Sequence, residues 1–307
     1  MSPAGGDQWA GQRAILDEAG LAEGGFDLVW VEGPDAVRFL DGLLTQDLAA
    51  MQPGEVGRSL FLQPQGKLRH LLWVLRGEGR VGLLVDEGRG GMLAADLGHY
   101  RIRVKADIDV DERPLVVLWG PKAREVTGAG DGWSEEGGRL LVALGGPVER
   151  VVVVGDRVAN GVASVDPAAV TAIRVAAGEP VMDVDVDEST IPQESGLVPE
   201  AVSFTKGCYL GQELVARIDS RGHVNRRLCG LVIAGDAAGA EGAGVWAGDR
   251  EVGTVTSVAD SLEMGAPIGL GLIRREVEPG DRVEIRWGDE RVAAVVRALP
   301  MAGPSMP

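Results

Sequence analysis

The chain has 307 residues, 45% apolar and 25% charged, the make-up of a globular protein large enough for two or three domains. Its formal net charge of −16 excludes general binding to nucleic acid or to anionic membranes, because both need a basic surface that displaces counterions. Two cysteines, Cys208 and Cys229, cannot form a disulfide framework, and their spacing does not match structural zinc.

The ends, MSPAGGDQWAGQ and ALPMAGPSMP, are rich in Gly, Pro and Ala and read as mobile arms. No basic patch followed by an apolar run opens the chain, and no apolar run reaches the ~20 residues that span a bilayer. The expected compartment is therefore the cytoplasm. FDLVWV at 26–31 predicts a strand. EGPDAVRFLDGLLTQDLAAM predicts a helix, with Pro34 in its first turn and apolar residues at helical spacing. Residues 59–87 read as three strands, with turns at Pro64–Gly66 and Gly77–Gly79. A helix (MLAADLGHYRI) and a strand (RVKADIDVDE) follow, which together give an α+β unit. PLVVLWGP, RLLVALGG and ERVVVVGDRV are strands of a second unit. Its helix at 167–177 has Asp166 as cap, Pro167 at the first position and Gly178 as stop. Beyond residue 226 short strands alternate with Gly/Asp turns, the texture of a small all-β barrel or sandwich.

Several constellations could carry chemistry. In FTKGCYLGQELVAR, Cys208 stands two residues after Lys206 and just before a helical pattern. A thiol is activated beside a cation or at a helix N-terminus, whereas a lone cysteine can equally be a small core residue. Cys229, in an apolar strand, reads as core. Asp183, Asp185 and Asp187 alternate and would share one face of a strand, as a cation site or as a solvated acidic edge. His70, His99 and His223 have neither metal-ligand spacing nor a nearby Ser/Asp set, so neither a metal site nor a hydrolytic triad is expected. No phosphate-binding glycine loop is present. Basic groups at Arg101, Arg103 and Lys105, and at Arg221, Arg226 and Arg227, leave an anionic small ligand open.

The stretch Lys206-Gly207-Cys208-Tyr209-Leu210-Gly211-Gln212-Glu213 resembles the K-G-C-[YF]-x-G-Q-E signature of the YgfZ family, in the superfamily of the glycine-cleavage T-protein, an aminomethyltransferase. VEGPDAVRFLDGLLTQDL, LFLQPQGKLRHLLWVLR, AAGEPVMDVDVDESTIPQESGL and DREVGTVTSVADS with IGLGLIRRE resemble further family segments in the right order, over about residues 26–300.

The resemblance implies an α+β fold of three domains around a central folate-binding opening. One α+β domain, from 1–29 and 131–226, would carry the motif. A second, 30–130, would be inserted into it, and a β-barrel would occupy 227–307. It also implies a tetrahydrofolate-binding accessory protein for iron–sulfur cluster assembly or repair, with folate and cluster client or assembly proteins as partners. Tetrahydrofolate or a derivative is the implied cofactor. Glu194 would bind the pterin end. Asp86 stands where the T-protein has an asparagine at the ligand, and Arg217 joins them as a candidate ligand contact. The T-protein's Asp-Asp pair is matched by His70 and Leu71, so the implied chemistry moves to the Cys208 thiol, with Lys206 beside it. That thiol could be a transient cluster ligand, a redox-sensitive group or a one-carbon acceptor. The alternative is a folate-dependent aminomethyltransferase- or demethylase-like one-carbon enzyme.

Overall fold

A computed structural model describes residues 9–155, 161–222 and 224–301. His223 and the outermost residues of both expected arms lie outside that range, as does the Arg221 side chain. In chain order the elements begin with α1 (Ala10–Asp17), β1 (Gly20–Glu23), β2 (Phe26–Glu32), α2 (Ala36–Asp41), β3 (Val56–Leu62), β4 (Leu68–Arg76), β5 (Arg80–Asp86), α3 (Gly90–Tyr100) and β6 (Asp107–Asp111). Next come β7 (Leu115–Trp119), α4 (Ala123–Thr127), β8 (Trp133–Glu136), β9 (Arg139–Leu144), β10 (Arg150–Val154), β11 (Ala163–Ser164), α5 (Pro167–Ala177), α6 (Val198–Ala201) and α7 (Gln212–Arg221). The last six strands are β12 (Arg226–Ile233), β13 (Gly244–Ala247), β14 (Arg250–Ser261), β15 (Ala266–Arg274), β16 (Arg282–Trp287) and β17 (Glu290–Arg297).

The unbroken apolar run of β2 has a simple cause: its sheet, in the order β3-β4-β5-β2-β6, is buried on both faces. Val29 and Val31 face α2 and α3, in a core with Leu40, Leu93 and Leu97. Leu28 and Trp30 face the other way, into a core shared with Val117 and Trp119 of β7, Val142 of β9 and Val152 of β10. Those strands belong to a second sheet, ordered β11-β1-β7-β10-β9-β8, so the two sheets share one hydrophobic layer. The outer face of the second sheet, with Leu118, Val151 and Val153, packs on Ala123 of α4.

Sheet membership divides the chain differently from the expected boundaries. β7 and α4 fall inside the expected 30–130 insert, yet β7 pairs with β1 and α4 packs on that sheet, in line with the reading of PLVVLWGP as a strand of the second unit. The motif segment also changes sides. Met182, Val186, Leu197, Tyr209 and Val215 cover Leu60, Leu62, Leu68 and Leu71 at the end of the β3–β4 hairpin, and so join the first sheet. The reason is apolar burial: Leu60, Leu62 and Leu71 alternate with Phe61 and Leu72, so they lie on the face away from α2 and α3, where the second sheet covers Trp73 and Leu75 but not the hairpin end.

The final six strands close into a barrel, β12-β15-β14-β13-β16-β17, around Leu231, Val245, Val255, Ile285 and Val296. Cys229 is buried there, and burial raises its thiol pKa. α5 docks on the barrel through Val175 and Ala176 against Leu228, Ile268 and Leu270. Its predicted cap is present: Asp166 Oδ1 accepts the Ala169 N–H at 2.8 Å, and Gly178 closes the helix at φ +76°.

Two expectations fail. The helix predicted after Pro34 stops at Asp41, because Gly42 and the turns after it leave their backbone groups for later chain segments. Parts of the expected mobile arms are anchored. Gln12 is buried, with its side chain donating to Asp260 O and accepting the Leu262 N–H. At the other end, Met301 N–H donates to Ala176 O at 2.7 Å.

Candidate functional site

The motif loop is assembled on the turn that follows α2. The Lys206 side chain is 1% exposed. Its ammonium donates to Asp41 O at 2.7 Å, Asp41 Oδ1 at 3.0 Å, Leu44 O at 3.0 Å and Gln46 O at 2.7 Å. It also lies 5.5 Å from the Tyr209 ring centroid. This corrects the expectation that Lys206 serves Cys208, because its donors are committed to carbonyls and a carboxylate elsewhere. Cys208 itself is a free, exposed thiol. It stands four residues before α7, whose N-cap is Gly211.

Tyr209 is buried against the hairpin end, and burial pushes its phenol up to about 12, so it stays neutral. Gln212 accepts the Tyr209 N–H through Oε1 at 3.3 Å. Gly207 has open space around it. Gly211, at φ +78°, lies against the β3–β4 turn, where a Cβ would stand 2.7 Å from Gln63 O and 3.0 Å from Gly66 Cα. Gly66 returns the contact, since a Cβ there would stand 2.8 Å from Gly211 O. Gly211→Ala is therefore expected to cost about 3 kcal/mol in a chemical unfolding curve, from the left-handed φ and the clash together. Gly207→Ala, free of both, should cost no more than about 1 kcal/mol.

Glu213 and Arg217 pair with each other at 2.7 Å on the exposed face of α7. Arg217 is thus paired with its own helix neighbour, and no hydrogen bond among the described residues links it to Glu194 or Asp86.

Glu194 follows Pro192 in a single helical turn and is 7% exposed. Its Oε1 accepts from Arg226 Nε at 2.9 Å, and its Oε2 from the Ile191 N–H at 3.1 Å. Arg226 opens the barrel, so Glu194 sits where the motif-bearing segment meets it. On the same turn Gln193 donates to Val215 O, while its Oε1 is buried with no partner among the described residues. Asp86, at the end of β5, accepts the Met182 N–H at 2.9 Å. Burial pushes its carboxyl up to about 6, against the pull of that N–H and of Arg58, Arg89 and Arg174.

The alternating aspartates are not on a strand. Residues 181–187 form a turn with Asp183 at φ +64°, and each carboxylate goes its own way. Asp183 pairs with Arg89. Asp187 accepts from Ser189 and Thr190, which lowers its pKa. Asp185 is 1% exposed and receives Arg174 at 2.5 Å, Val181 N at 3.0 Å, and Thr256 and Ser257 of β14 at 2.7 Å each. Among the described residues no three His, Cys, Asp or Glu side chains gather as a metal site.

His70 lies fully buried on β4, with Nε2 2.7 Å from Asp96 Oδ2. Its Nδ1 has no partner among the described residues, and burial holds its pKa down at about 4. Arg69 holds the same Asp96 through two bonds, at 2.6 and 3.0 Å. Sequence reading missed this pair and the Asp185 hub, because Asp96 lies 26 residues from His70, and Thr256 and Ser257 lie 71 and 72 residues from Asp185. A surface cavity of about 880 Å³ between loop 46–57 and the β8–β9 edge shares no residue with the expected site.

Residues 226–302 match the glycine cleavage T-protein C-terminal barrel domain. The human iron–sulfur cluster assembly factor IBA57, mitochondrial, is 32% identical, over 74% of this chain and 67% of its own. The chain belongs to the YgfZ family, within the T-protein superfamily. Another relative is the tRNA-modifying protein YgfZ of Edwardsiella ictaluri, 31% identical over 64% of this chain and 65% of its own. An aminomethyltransferase of Rubrobacter xylanophilus is 29% identical over 95% of this chain and 87% of its own. The crystal structure of aminomethyltransferase T from Bartonella henselae shares the three-part fold, with a TM-score of 0.87 at 21% identity, covering 96% of this chain and 89% of that one. Two mixed α+β units and a closed six-stranded barrel are thus the T-protein arrangement that the YgfZ motif implied. Among the described residues no helix is long and apolar enough to cross a membrane.

Proposed function

We propose that this YgfZ-family protein is a tetrahydrofolate-binding accessory factor for iron–sulfur cluster assembly or repair, working through the Cys208 thiol in support of cluster enzymes such as those that modify tRNA. The observation that carries the reading is the exposed free thiol in a fully formed motif loop. Relatives named for iron–sulfur cluster assembly and for tRNA modification point the same way.

The residues present fit the amino-pyrimidine end of a folate. That end is rich in N–H donors, and Glu194 offers a buried carboxylate, with the unpartnered acceptor of Gln193 on the same turn. Glu194 would hold the ring, Arg226 would balance the carboxylate charge, and Asp86 would be the second polar contact. Bound tetrahydrofolate supplies one-carbon or reducing chemistry. Cys208 loses its proton to solvent when it takes an iron as thiolate, and as one sulfur among the four protein ligands a cluster usually needs it must share the cargo with a partner.

The aminomethyltransferase reading is weaker on one specific point. The side chain at His70, where the resemblance puts the carboxylate pair, is fully buried and bonded to Asp96, and Leu71 beside it is apolar.

The test combines two measurements. Glu194→Ala is expected to weaken tetrahydrofolate binding in a calorimetric titration by about 10- to 100-fold. Cys208→Ser is expected to fail to restore cluster-enzyme activity in a strain lacking its own copy. Equal folate affinity in wild type and Glu194→Ala would refute the pocket, and full rescue by Cys208→Ser would refute the thiol.

A further inference from the structure

Cys208 stands on a loop whose hold on the rest of the molecule is narrow. At one end the Ser203 N–H donates to Thr45 O at 2.9 Å, and at the other the Leu210 N–H donates to Gly42 O at 3.1 Å. Between them, Gly207 and Cys208 make no hydrogen bond among the described residues, and the Phe204 ring is exposed. Among the described residues, the single polar tether from residues 204–208 to the distant chain is the Lys206 ammonium, with its four oxygens on residues 41–46.

Those oxygens explain why a lysine is needed. α2 ends at Asp41, so the carbonyls beyond it have no helical partner. Asp41, Leu44 and Gln46 turn three carbonyls and one carboxylate oxygen toward a single point. A compact ammonium with three rotatable donors fills such a cage, whereas a planar guanidinium has the wrong shape. Among the described residues, Asp41 and the Tyr209 ring are the charged and aromatic neighbours of the ammonium.

We propose that Lys206 is a positioning residue: it locks the loop that presents Cys208, and it is not the cation that activates the thiol. The proposal deepens the reading of Cys208 as the working group and rests on it. Two readouts separate positioning from activation. One is amide hydrogen exchange over residues 203–210, read at the bonded amides of Ser203, Tyr209 and Leu210. The other is the pH midpoint of iodoacetamide alkylation, followed by mass on the Cys208 peptide so that Cys229 does not contribute.

In Lys206→Met, exchange at the hydrogen-bonded amides that bracket the thiol, Ser203, Tyr209 and Leu210, is expected to rise at least about tenfold while the alkylation midpoint stays put. Lys206→Arg should restore neither the exchange protection nor cluster-enzyme support, although it restores the charge. Asp41→Asn, which keeps the lysine and weakens the cage, should raise exchange in the same segment and covers the case in which Lys206→Met does not fold. An alkylation midpoint raised by about one pH unit in Lys206→Met and returned by Lys206→Arg, with exchange unchanged, would overturn the proposal. Full function of Cys208→Ser would remove the functional reading but leave the exchange result standing, so the two failures are distinguishable.

Discussion

Asp185→Ala is expected to cost about 3–5 kcal/mol of stability, the largest effect of any single carboxylate in the 181–188 turn. The carboxylate is buried and receives four donors from three parts of the molecule: Arg174 on α5, Val181 in its own turn, and Thr256 and Ser257 on the barrel. Its removal leaves the Arg174 guanidinium, itself 14% exposed, in place without its counter-charge. Removing one partner of a buried pair costs more than the pair contributes, because the remaining charge stays desolvated. Asp185→Asn keeps the shape and part of the bonding and should cost about half as much. Asp183→Ala is the contrast. Its carboxylate is 60% exposed, but its removal strands the Arg89 guanidinium, 9% exposed, with Arg69 O as a remaining partner, so loss of the pair should cost about 1–2 kcal/mol. Urea unfolding of the three variants checks the order, and equal losses for Asp183 and Asp185 would contradict the hub.

The difference between those two aspartates marks where the sequence stops being legible. DVDVD shows alternation, and alternation on a strand puts side chains on one side. Nothing local says that Asp183 takes a left-handed φ and turns the chain, or that Thr256 of β14, 71 residues on, receives Asp185. Where a feature is local, the reading succeeds. Asp166, Pro167 and Gly178 bracket α5, because a cap and a stop act within one turn. The strand predicted over FDLVWV is also present, and the unbroken LVWV run within it matches burial on both faces. The candidate site splits along the same line. The motif identified the family and the cysteine, and the exposure of that cysteine follows from the open loop. The destination of Lys206 was hidden, since its partners lie some 160 residues earlier in the chain. Sequence adjacency suggested a lysine–thiol pair, whereas unpaired carbonyls after a short helix supplied a stronger claim on the ammonium.

Between about pH 4 and 6 the effects of His70 and Asp86 on stability should nearly cancel, and removing either should expose the other. His70 is neutral in the native protein down to about pH 4, while the unfolded chain takes up its proton near 6.5. In that window the unfolded state binds more protons, so the His70 contribution is present above 6.5 and lost as pH falls. Asp86 works in the opposite direction. Its native carboxyl keeps the proton up to about 6, whereas the unfolded one releases it near 3.8. Here the native state binds more protons, so stability is lost as pH rises through the window. Each shift corresponds to about 3 kcal/mol at 1.36 kcal/mol per unit. Asp86→Asn is therefore expected to become more stable, relative to wild type, as pH rises from 4.5 to 6. His70→Gln should become less stable over the same interval. The comparison is drawn against wild type because other carboxylates, Asp96 and Glu179 among them, have lowered pKa values and add their own losses at the acid end. Unfolding curves at several pH values measure both slopes. If both variants track wild type in parallel, the imidazole and the carboxyl are in the same protonation states folded and unfolded, and the burial argument for both fails.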